Sequence, residues 1–184
     1  TPLNPTNVYG VSKAAQELLA MSYYHSYGLP VTVIRSSTII GTQMRETQVI
    51  PIFLRQSIKG EPLSIHGDGH QSRDFNSVSN HLDGLIAALT SPRAKGLALN
   101  IGSGIERSIV SVAQACLEVT GSKSAISFLP WRPGEKGLRV SLDVGRAREL
   151  LNYTPTISFE EELERMCAWL TKETRVALLS GATI

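Results

Sequence analysis

The chain has 184 residues, of which 42% are hydrophobic and 18% are charged. This length and composition predict a folded protein of one domain or slightly more, and they disfavour a disordered or highly solvated chain. The net charge is only +2, and the basic residues are scattered without a run, so we expect no nucleic-acid partner. No stretch approaches the ~18 apolar residues of a membrane span, so we also expect no membrane partner.

Cysteine and histidine residues, which are common metal ligands, are few and scattered. Cys116 and Cys167 lie far apart in helix-like apolar patterns, and we expect both to be buried free thiols, as is usual in a reducing cytoplasm. His66 and His70 are four residues apart, but the turn sequence Gly67-Asp68-Gly69 separates them. The pair therefore lacks helical metal-ligand spacing, and we expect no metal site.

The first third of the chain predicts a helix, a strand, a loop and a second helix. Apolar residues repeat at helical spacing over residues 10–27, and Gly28 ends the pattern. The β-branched run at 30–35 is typical of a strand buried on both faces of a parallel sheet. Residues 36–46 are predicted to be loop, and 47–59 a helix with Pro51 near its first turn.

The rest of the chain alternates short strands with helices. The pattern predicts strands at 63–66, 72–75, 97–101 and 125–129, and helices at 78–90, 108–120, 143–151 and 158–173. Ser158 to Glu161 forms a capping-box sequence before the last helix. This alternation predicts an α/β fold.

Tyr9 and Lys13 stand four residues apart at the start of the first predicted helix. Residues at this spacing share one helix face, and an ammonium group beside a phenol favours the phenolate. Such a tyrosine can exchange a proton with a sugar or alcohol hydroxyl, and the lysine can hydrogen-bond a cofactor ribose. Because a solvated Tyr–Lys pair is the default interpretation of so short a motif, the surrounding motifs must support a catalytic role.

Those motifs occur in a characteristic order from Pro5 to about Leu170. The chain resembles the C-terminal half of an extended short-chain dehydrogenase/reductase, the family of NAD-dependent sugar-nucleotide epimerases and 4,6-dehydratases. The matching segments are Tyr9-Gly10-x-Ser12-Lys13, Tyr27-Gly28-Leu29-Pro30-Val31, Ile50-Pro51, Gly60-x-Pro62-Leu63, Gly67-Asp68-Gly69-x-Gln71-x-Arg73-Asp74-Phe75, Asn100-Ile101-Gly102-Ser103-Gly104, Arg132-Pro133-Gly134-Glu135 and Leu150-Leu151-x-Tyr153-x-Pro155.

The resemblance implies a two-part organisation. Residues 1–46 would be the last elements of an NAD(P)-binding Rossmann domain that carry Tyr-x-x-x-Lys. Residues 47–184 would mainly form a small α/β subdomain that binds the nucleotide sugar. In this family Gly102-Ser103-Gly104 corresponds to a structural turn, although the sequence by itself resembles a phosphate-binding loop.

The resemblance also implies a set of site residues. Tyr9 would be the catalytic acid and base, and Lys13 its partner and a ribose ligand; Tyr9, Lys13 and Ser36 would contact the cofactor. Arginine suits bidentate phosphate recognition, which agrees with the implied role of two arginines as a diphosphate clamp. The implied substrate-binding residues are Thr38, Gln48, Val49, Leu63, Ile65, Arg73 and Arg132.

Three positions depart from the family pattern. Thr38 stands where relatives usually have an asparagine that touches the substrate, although its hydroxyl can still donate one hydrogen bond. Ser77 replaces an aromatic or histidine ring, and Asn80 replaces an acid. In addition, the chain contains no Gly-x-x-Gly-x-x-Gly loop, so we expect it to bind NAD, or NADP, only weakly on its own.

The leading hypothesis is an epimerase or 4,6-dehydratase that acts on a nucleotide-diphosphate sugar, represented here by its C-terminal half. A catalytically silent sugar-nucleotide-binding or assembly module is an alternative, favoured by the three departures. A reductase of a non-sugar carbonyl is a second alternative, disfavoured because a small ketone needs no diphosphate clamp. The resemblance further implies a homodimer formed through the helix that carries Tyr9, and a cytoplasmic location.

Overall fold

The computed structural model describes residues 3–5, 7–132 and 136–180, with side chains described up to 172. Six α-helices, one short 3-10 helix (Pro92–Ala94) and seven strands are interspersed along these residues, which confirms the predicted α/β class. The helices are α1 (Val8–Tyr27), α2 (Val49–Lys59), α3 (Val78–Thr90), α4 (Ile109–Thr120), α5 (Gly145–Leu151) and α6 (Phe159–Ser180). The strands are β1 (Thr32–Ser36), β2 (Thr38–Ile40), β3 (Leu63–His66), β4 (Ser72–Ser77), β5 (Leu97–Ile101), β6 (Glu106–Ser108) and β7 (Ile126–Leu129).

The strands form three small sheets in which parallel pairing dominates. β1 pairs with β5, β2 pairs with β4, and β3 pairs with β7, all in parallel. Only β6 runs antiparallel, against β4, among the pairs of named strands in the described part of the chain. Parallel neighbours need crossover connections, and helices supply them here.

The helix ends follow the local signals in the sequence. Asn7 caps α1 by accepting a hydrogen bond from the Gly10 amide at 2.8 Å, and Gly28 ends the helix in the left-handed conformation with φ of 67°. Ser158 Oγ accepts from the Glu161 amide at 3.0 Å, which confirms one half of the predicted capping box.

Most of the hydrophobic core lies between the short sheets and helices α2, α4 and α6. Phe53 and Leu54 of α2, Ile65 of β3, Val112 of α4 and Leu163 of α6 are almost completely buried there. A second cluster joins Ile34, Ile101 and Ala147 with Leu151 and Tyr153. Segments after residue 46 therefore pack against β1 as well as forming the larger core.

Two of the predictions for the first third of the chain were wrong. The segment 36–46 is not all loop, because Thr38–Ile40 forms β2 and pairs with Phe75–Ser77 of β4. The strand at 30–35 is not buried on both faces in this chain; β1 starts at Thr32 and its residues are only partly buried or exposed. In the described part of the chain β1 has a strand on one side only, β5, which leaves its other edge without a partner.

The two cysteine side chains differ in how deeply they are buried. Cys116 is fully buried in the core and Cys167 is partly buried, and both are free.

Among the helices of the described residues, none has the length and apolar character that a membrane crossing requires.

Candidate active site

Tyr9 and Lys13 lie on one face of α1, as their spacing predicts. The Lys13 ammonium is 5.6 Å from the centre of the Tyr9 ring and donates to Gln16 Oε1 at 3.1 Å. The Tyr9 side chain is strongly exposed, at 72%. The phenol is therefore open to a ligand approaching α1 from the side of β1.

These two residues line a groove between α1 and β1 that has a volume of about 740 Å³. Ser36, at the carboxyl end of β1, lines the same groove, so the three predicted cofactor residues are brought together. The Ser36 hydroxyl is 3.4 Å from Nε2 of His81, a buried side chain on α3 whose pKa is lowered by burial. Ligands of open α/β sheets commonly bind at the carboxyl ends of the strands, where Ser36 lies.

A second cleft, of about 340 Å³, lies between β3, β4 and the amino end of α2. Six of the seven predicted substrate residues line it: Thr38, Gln48, Val49, Ile65, Arg73 and Arg132. Leu63 does not, because its side chain is completely buried in the core. Leu63 and Ile65 share one face of β3, and only Ile65, two residues further along the strand, reaches the cleft.

Arg73 and Arg132 have no carboxylate partner among the residues that the structure describes. Within the described part of the chain, the Arg73 guanidinium donates one hydrogen bond, to the backbone oxygen of Ser72 at 3.0 Å. Arg139, outside this cleft, is different: it donates to Glu106 at 2.7 and 3.0 Å and lowers the pKa of that carboxyl to about 2. Two arginines without anionic partners in one cleft form a positive site suited to phosphate groups.

Sequence reasoning missed His66 and Gln71 as lining residues of this cleft. His66 Nδ1 is 3.0 Å from the Pro130 oxygen, and Gln71 Nε2 donates to the His66 oxygen at 2.6 Å. The available signal was proximity in the sequence, because His66 directly follows Ile65 and Gln71 lies two residues before Arg73.

The Gly102-Ser103-Gly104 segment is a structural turn and not a phosphate loop. The amides of Ser103 and Gly104 donate to the Asp74 carboxylate at 2.9 and 3.0 Å, and the Ser103 hydroxyl donates to it at 2.7 Å. Asp74 is completely buried. The amides that could have bound a phosphate are thus already occupied.

Two of the departing positions have structural contacts in this chain. The Ser77 hydroxyl donates to Glu162 at 2.7 Å, which ties the end of β4 to α6. Asn80 Oδ1 accepts from the amides of Thr156 and Ile157 at 2.9 and 3.0 Å. An amide oxygen is sufficient for this acceptor role, so an acid is not needed at position 80 to hold that loop.

Comparisons with known proteins identify the family of this chain. Residues 1–166 match the family model described as GDP-mannose 4,6 dehydratase. The chain belongs to the NAD-dependent sugar-nucleotide epimerase and dehydratase family. This confirms the resemblance identified from the sequence motifs.

Individual relatives show the same similarity over nearly the whole chain. The chain is 35% identical over 169 residues to a dTDP-glucose 4,6-dehydratase of Actinoplanes sp., covering 91% of this chain and 52% of that protein. It is 33% identical over 170 residues to a UDP-glucuronate 4-epimerase of Thermodesulfobacterium geofontis, covering 92% and 51%. The chain thus spans about half the length of the curated relatives that it matches.

A solved structure has the same fold. The UDP-glucuronic acid 4-epimerase from Bacillus cereus, in complex with UDP-glucuronic acid and NAD, superposes with a TM-score of 0.83 at 30% identity. The alignment covers 94% of this chain and 54% of that one. In this chain the α1–β1 groove and the β3–β4–α2 cleft are lined by nearby residues of the same segment: Ser36 lines the groove, and Thr38, two residues later, lines the cleft.

Proposed function

We propose that this chain supplies the substrate cleft and the Tyr9–Lys13 pair of an epimerase or 4,6-dehydratase that acts on a nucleotide-diphosphate sugar. The observation that carries the proposal is the pairing of Arg73 and Arg132 in one cleft without anionic partners among the described residues. A diphosphate would provide two negative charges and several acceptor oxygens for these guanidinium groups.

The substrate would extend along the cleft from a nucleoside end to a sugar end. Gln48, Val49 and Ile65 line the cleft beside α2 and β3 and would contact the nucleoside. Thr38 lies two residues after Ser36, so it marks the side of the cleft that faces the α1–β1 groove. The sugar would therefore project toward Tyr9 while the arginines hold the diphosphate.

The α1–β1 groove offers donors that fit the nicotinamide ribose of NAD. Lys13 carries an ammonium and Ser36 a hydroxyl on this groove, whereas the chain has no glycine-rich loop for the pyrophosphate. NAD, when bound, supplies a hydride acceptor that is regenerated in the same catalytic cycle. Tyr9 would remove the proton from the sugar 4-hydroxyl, and the Lys13 ammonium, 5.6 Å from the centre of the Tyr9 ring, would supply a positive charge beside it.

A catalytically silent sugar-nucleotide-binding module remains the second candidate. It is supported by the high exposure of Tyr9 and by its location in a groove other than the arginine cleft. Both candidates require nucleotide-sugar binding, so only turnover separates them. An active protein should lose turnover when Tyr9 is replaced by Phe, with little change in substrate affinity.

Calorimetric titration of the 184-residue chain with UDP-glucose and dTDP-glucose tests the proposal directly. Arg73→Ala and Arg132→Ala should each weaken binding by about 2 kcal/mol, since a charge-assisted hydrogen bond is lost. Arg146→Ala is the matched control, because Arg146 is exposed on α5 and does not line the cleft. Unchanged affinity in both cleft variants would remove the arginines from the site.

The same titration with NAD tests whether the α1–β1 groove of this chain is sufficient to bind the cofactor. We expect weak or no binding, because backbone amides of a glycine-rich loop normally hold the pyrophosphate. Micromolar NAD affinity of this chain would contradict that expectation.

A further inference from the structure

We propose that His81 is a positioning residue for the α1–β1 groove, and that it holds the Ser36 hydroxyl ready to donate a hydrogen bond to an oxygen atom of the cofactor. This inference rests on the proposed function and adds to it a buried side chain that lines neither the groove nor the substrate cleft. Three features support it: the fixed backbone of Ser36, the neutral state of His81, and the isolation of one of its ring nitrogens.

The backbone of Ser36 is fixed, whereas its side chain is exposed. Ser36 is the last residue of β1 and pairs with Ile101 of β5, and the next amide, that of Ser37, donates to the Ile101 oxygen at 3.1 Å. An exposed serine side chain can populate three χ1 positions. The Ser36 hydroxyl lies 3.4 Å from His81 Nε2, near the long end of the hydrogen-bonding range. This contact favours the single position observed, in which Ser36 lines the groove.

The imidazole that makes this contact is buried and neutral. His81 lies on α3, which packs against both β1 and β5, and the residue is only 7% exposed. Burial lowers the pKa of His81 from its ordinary value of 6.5, so the ring carries one proton on its two nitrogens at neutral pH. One nitrogen therefore donates and the other accepts, and the position of the proton decides what Ser36 can do.

The isolation of Nδ1 places that proton on Nε2. Nδ1 of His81 is buried and has no hydrogen-bond partner among the residues that the structure describes. A proton on Nδ1 would leave a buried N–H unpaired, which is rare and costly in folded proteins. A proton on Nε2 instead meets the Ser36 oxygen, and the exposed hydroxyl can then bond to water or to a ligand. Only this arrangement gives both the N–H and the O–H an acceptor.

The hydroxyl hydrogen of Ser36 is consequently directed away from His81. An N–H and an O–H that point at each other repel, so the hydroxyl donates to a group in the groove that Ser36 shares with Tyr9 and Lys13. A carboxamide or ribose oxygen of NAD would be a suitable acceptor. Because His81 holds the hydroxyl before the ligand arrives, less side-chain freedom is lost on binding.

The first test determines the tautomer directly. ¹⁵N NMR of the chain labelled at its histidine rings distinguishes a protonated from an unprotonated ring nitrogen. His66 is an internal reference of the opposite kind, because its Nδ1 is 3.0 Å from the Pro130 oxygen and must donate to it. We expect the proton of His81 on Nε2 and that of His66 on Nδ1. A proton on Nδ1 of His81 would overturn this inference, since Ser36 would then donate to the imidazole and not to a ligand.

The second test is a titration of the 184-residue chain with millimolar NAD, followed by NMR chemical shifts so that weak binding is measured. Ser36→Ala should weaken binding about fivefold, because one neutral hydrogen bond is lost. His81→Leu should weaken it about threefold, because the hydroxyl regains the freedom of three χ1 positions. His81→Gln should bind NAD nearly as well as wild type, since its amide can donate from the position of Nε2.

A double variant separates positioning from a general effect on the fold. His81→Leu added to Ser36→Ala should cause no further loss of NAD affinity, because His81 acts through the Ser36 hydroxyl. Ser37→Ala is the matched control and should behave as wild type: its hydroxyl is buried without a partner in the described part of the chain, and it lines neither the groove nor the cleft. An equal loss from His81→Leu with and without the Ser36 hydroxyl would contradict a positioning role.

Binding of UDP-glucose distinguishes this inference from the proposed function. The His81 and Ser36 variants should all bind UDP-glucose as tightly as wild type, because neither residue lines the arginine cleft. Normal UDP-glucose binding, combined with no effect of His81→Leu on NAD affinity or with no NAD binding at millimolar concentration, would overturn this inference alone. Failure of the wild-type chain to bind UDP-glucose would overturn the proposed function, and the cofactor role of Ser36 with it.

Discussion

Glu17 on α1 receives two hydrogen bonds from the Arg35 guanidinium on β1, Nε to Oε2 at 2.9 Å and Nη2 to Oε1 at 2.5 Å. The Glu17 side chain is only 14% exposed, and its hydrogen bond raises the pKa of Arg35. The contact holds the helix that carries Tyr9 and Lys13 against the strand that ends in Ser36. This ion pair therefore contributes to the spatial arrangement of the three cofactor candidates.

Glu17→Gln should destabilise the chain by about 2 kcal/mol, because a largely buried charge-assisted pair is lost. Chemical denaturation at neutral pH measures the change. Glu46→Gln is the matched control: it removes a similar Glu–Arg contact to Arg55, but the Glu46 side chain is 74% exposed, so the loss should stay below about 0.5 kcal/mol. Equal losses in the two variants would show that the Glu17–Arg35 pair does not anchor α1.

Stability should fall on mild acidification through His81. Burial lowers the pKa of His81 from its ordinary value of 6.5, so the unfolded chain binds the proton more readily than the folded chain. Protonation then favours unfolding, and stability is lost as pH falls through about 6.5 toward the lower folded-state pKa. Urea unfolding at about pH 7.5 and about pH 5 measures the difference.

His81→Asn should reduce that difference, since the variant has no titrating group at this buried position. His70→Asn, at an exposed position, should leave it unchanged. If His81→Asn and wild type lose the same stability between the two pH values, other groups carry the acid sensitivity.

The two thiols should react slowly in the folded state. Burial raises the pKa of Cys116 to about 12, with a further contribution from Cys167, and burial also raises the pKa of Cys167. Because the thiolate is the reactive form, a thiol-specific reagent should label Cys116 only after unfolding. Cys167→Ser isolates the Cys116 signal, and rapid labelling of that variant under native conditions would contradict the burial of Cys116.

We expect the chain to associate through α1. The described structure buries none of the residues of this helix, and Val11, Leu18, Leu19 and Tyr23 are between 47% and 63% exposed. Exposed apolar faces of this extent usually mark contact surfaces, and two-fold symmetry is the commonest closed arrangement. Light scattering should detect a dimer.

Leu18→Glu should shift that dimer toward the monomer, because a charge would be placed in the contact. Leu89→Glu is the control, since Leu89 is 87% exposed on a different helix, α3. A monodisperse 20.0 kDa monomer of the wild-type chain at high concentration would refute the prediction.

Local patterns were sufficient for the longer elements. Helix α3 was predicted at 78–90 and is observed at Val78–Thr90, and β3 and β5 also coincide with their predicted ranges. Apolar periodicity and end signals are local properties, so they can be read without the fold. β2 and β6 were missed because each has three residues, too few for a periodic signal, and each exists through pairing with β4.

For the candidate site too, some features could be predicted from local sequence and others depended on the fold. The sequence by itself determined the Tyr9–Lys13 face and the arginines as candidates, because spacing along a helix and order of motifs require no tertiary information. Only the tertiary structure decided that Arg73 and Arg132, which are 59 positions apart in the printed sequence, line one cleft without anionic partners among the described residues, and that Leu63 does not line it. It also decided the tautomer of His66, since the Pro130 oxygen reaches Nδ1 only through the pairing of β3 with β7. Such long-range contacts depend on how distant segments pack together, which no local pattern of residues encodes.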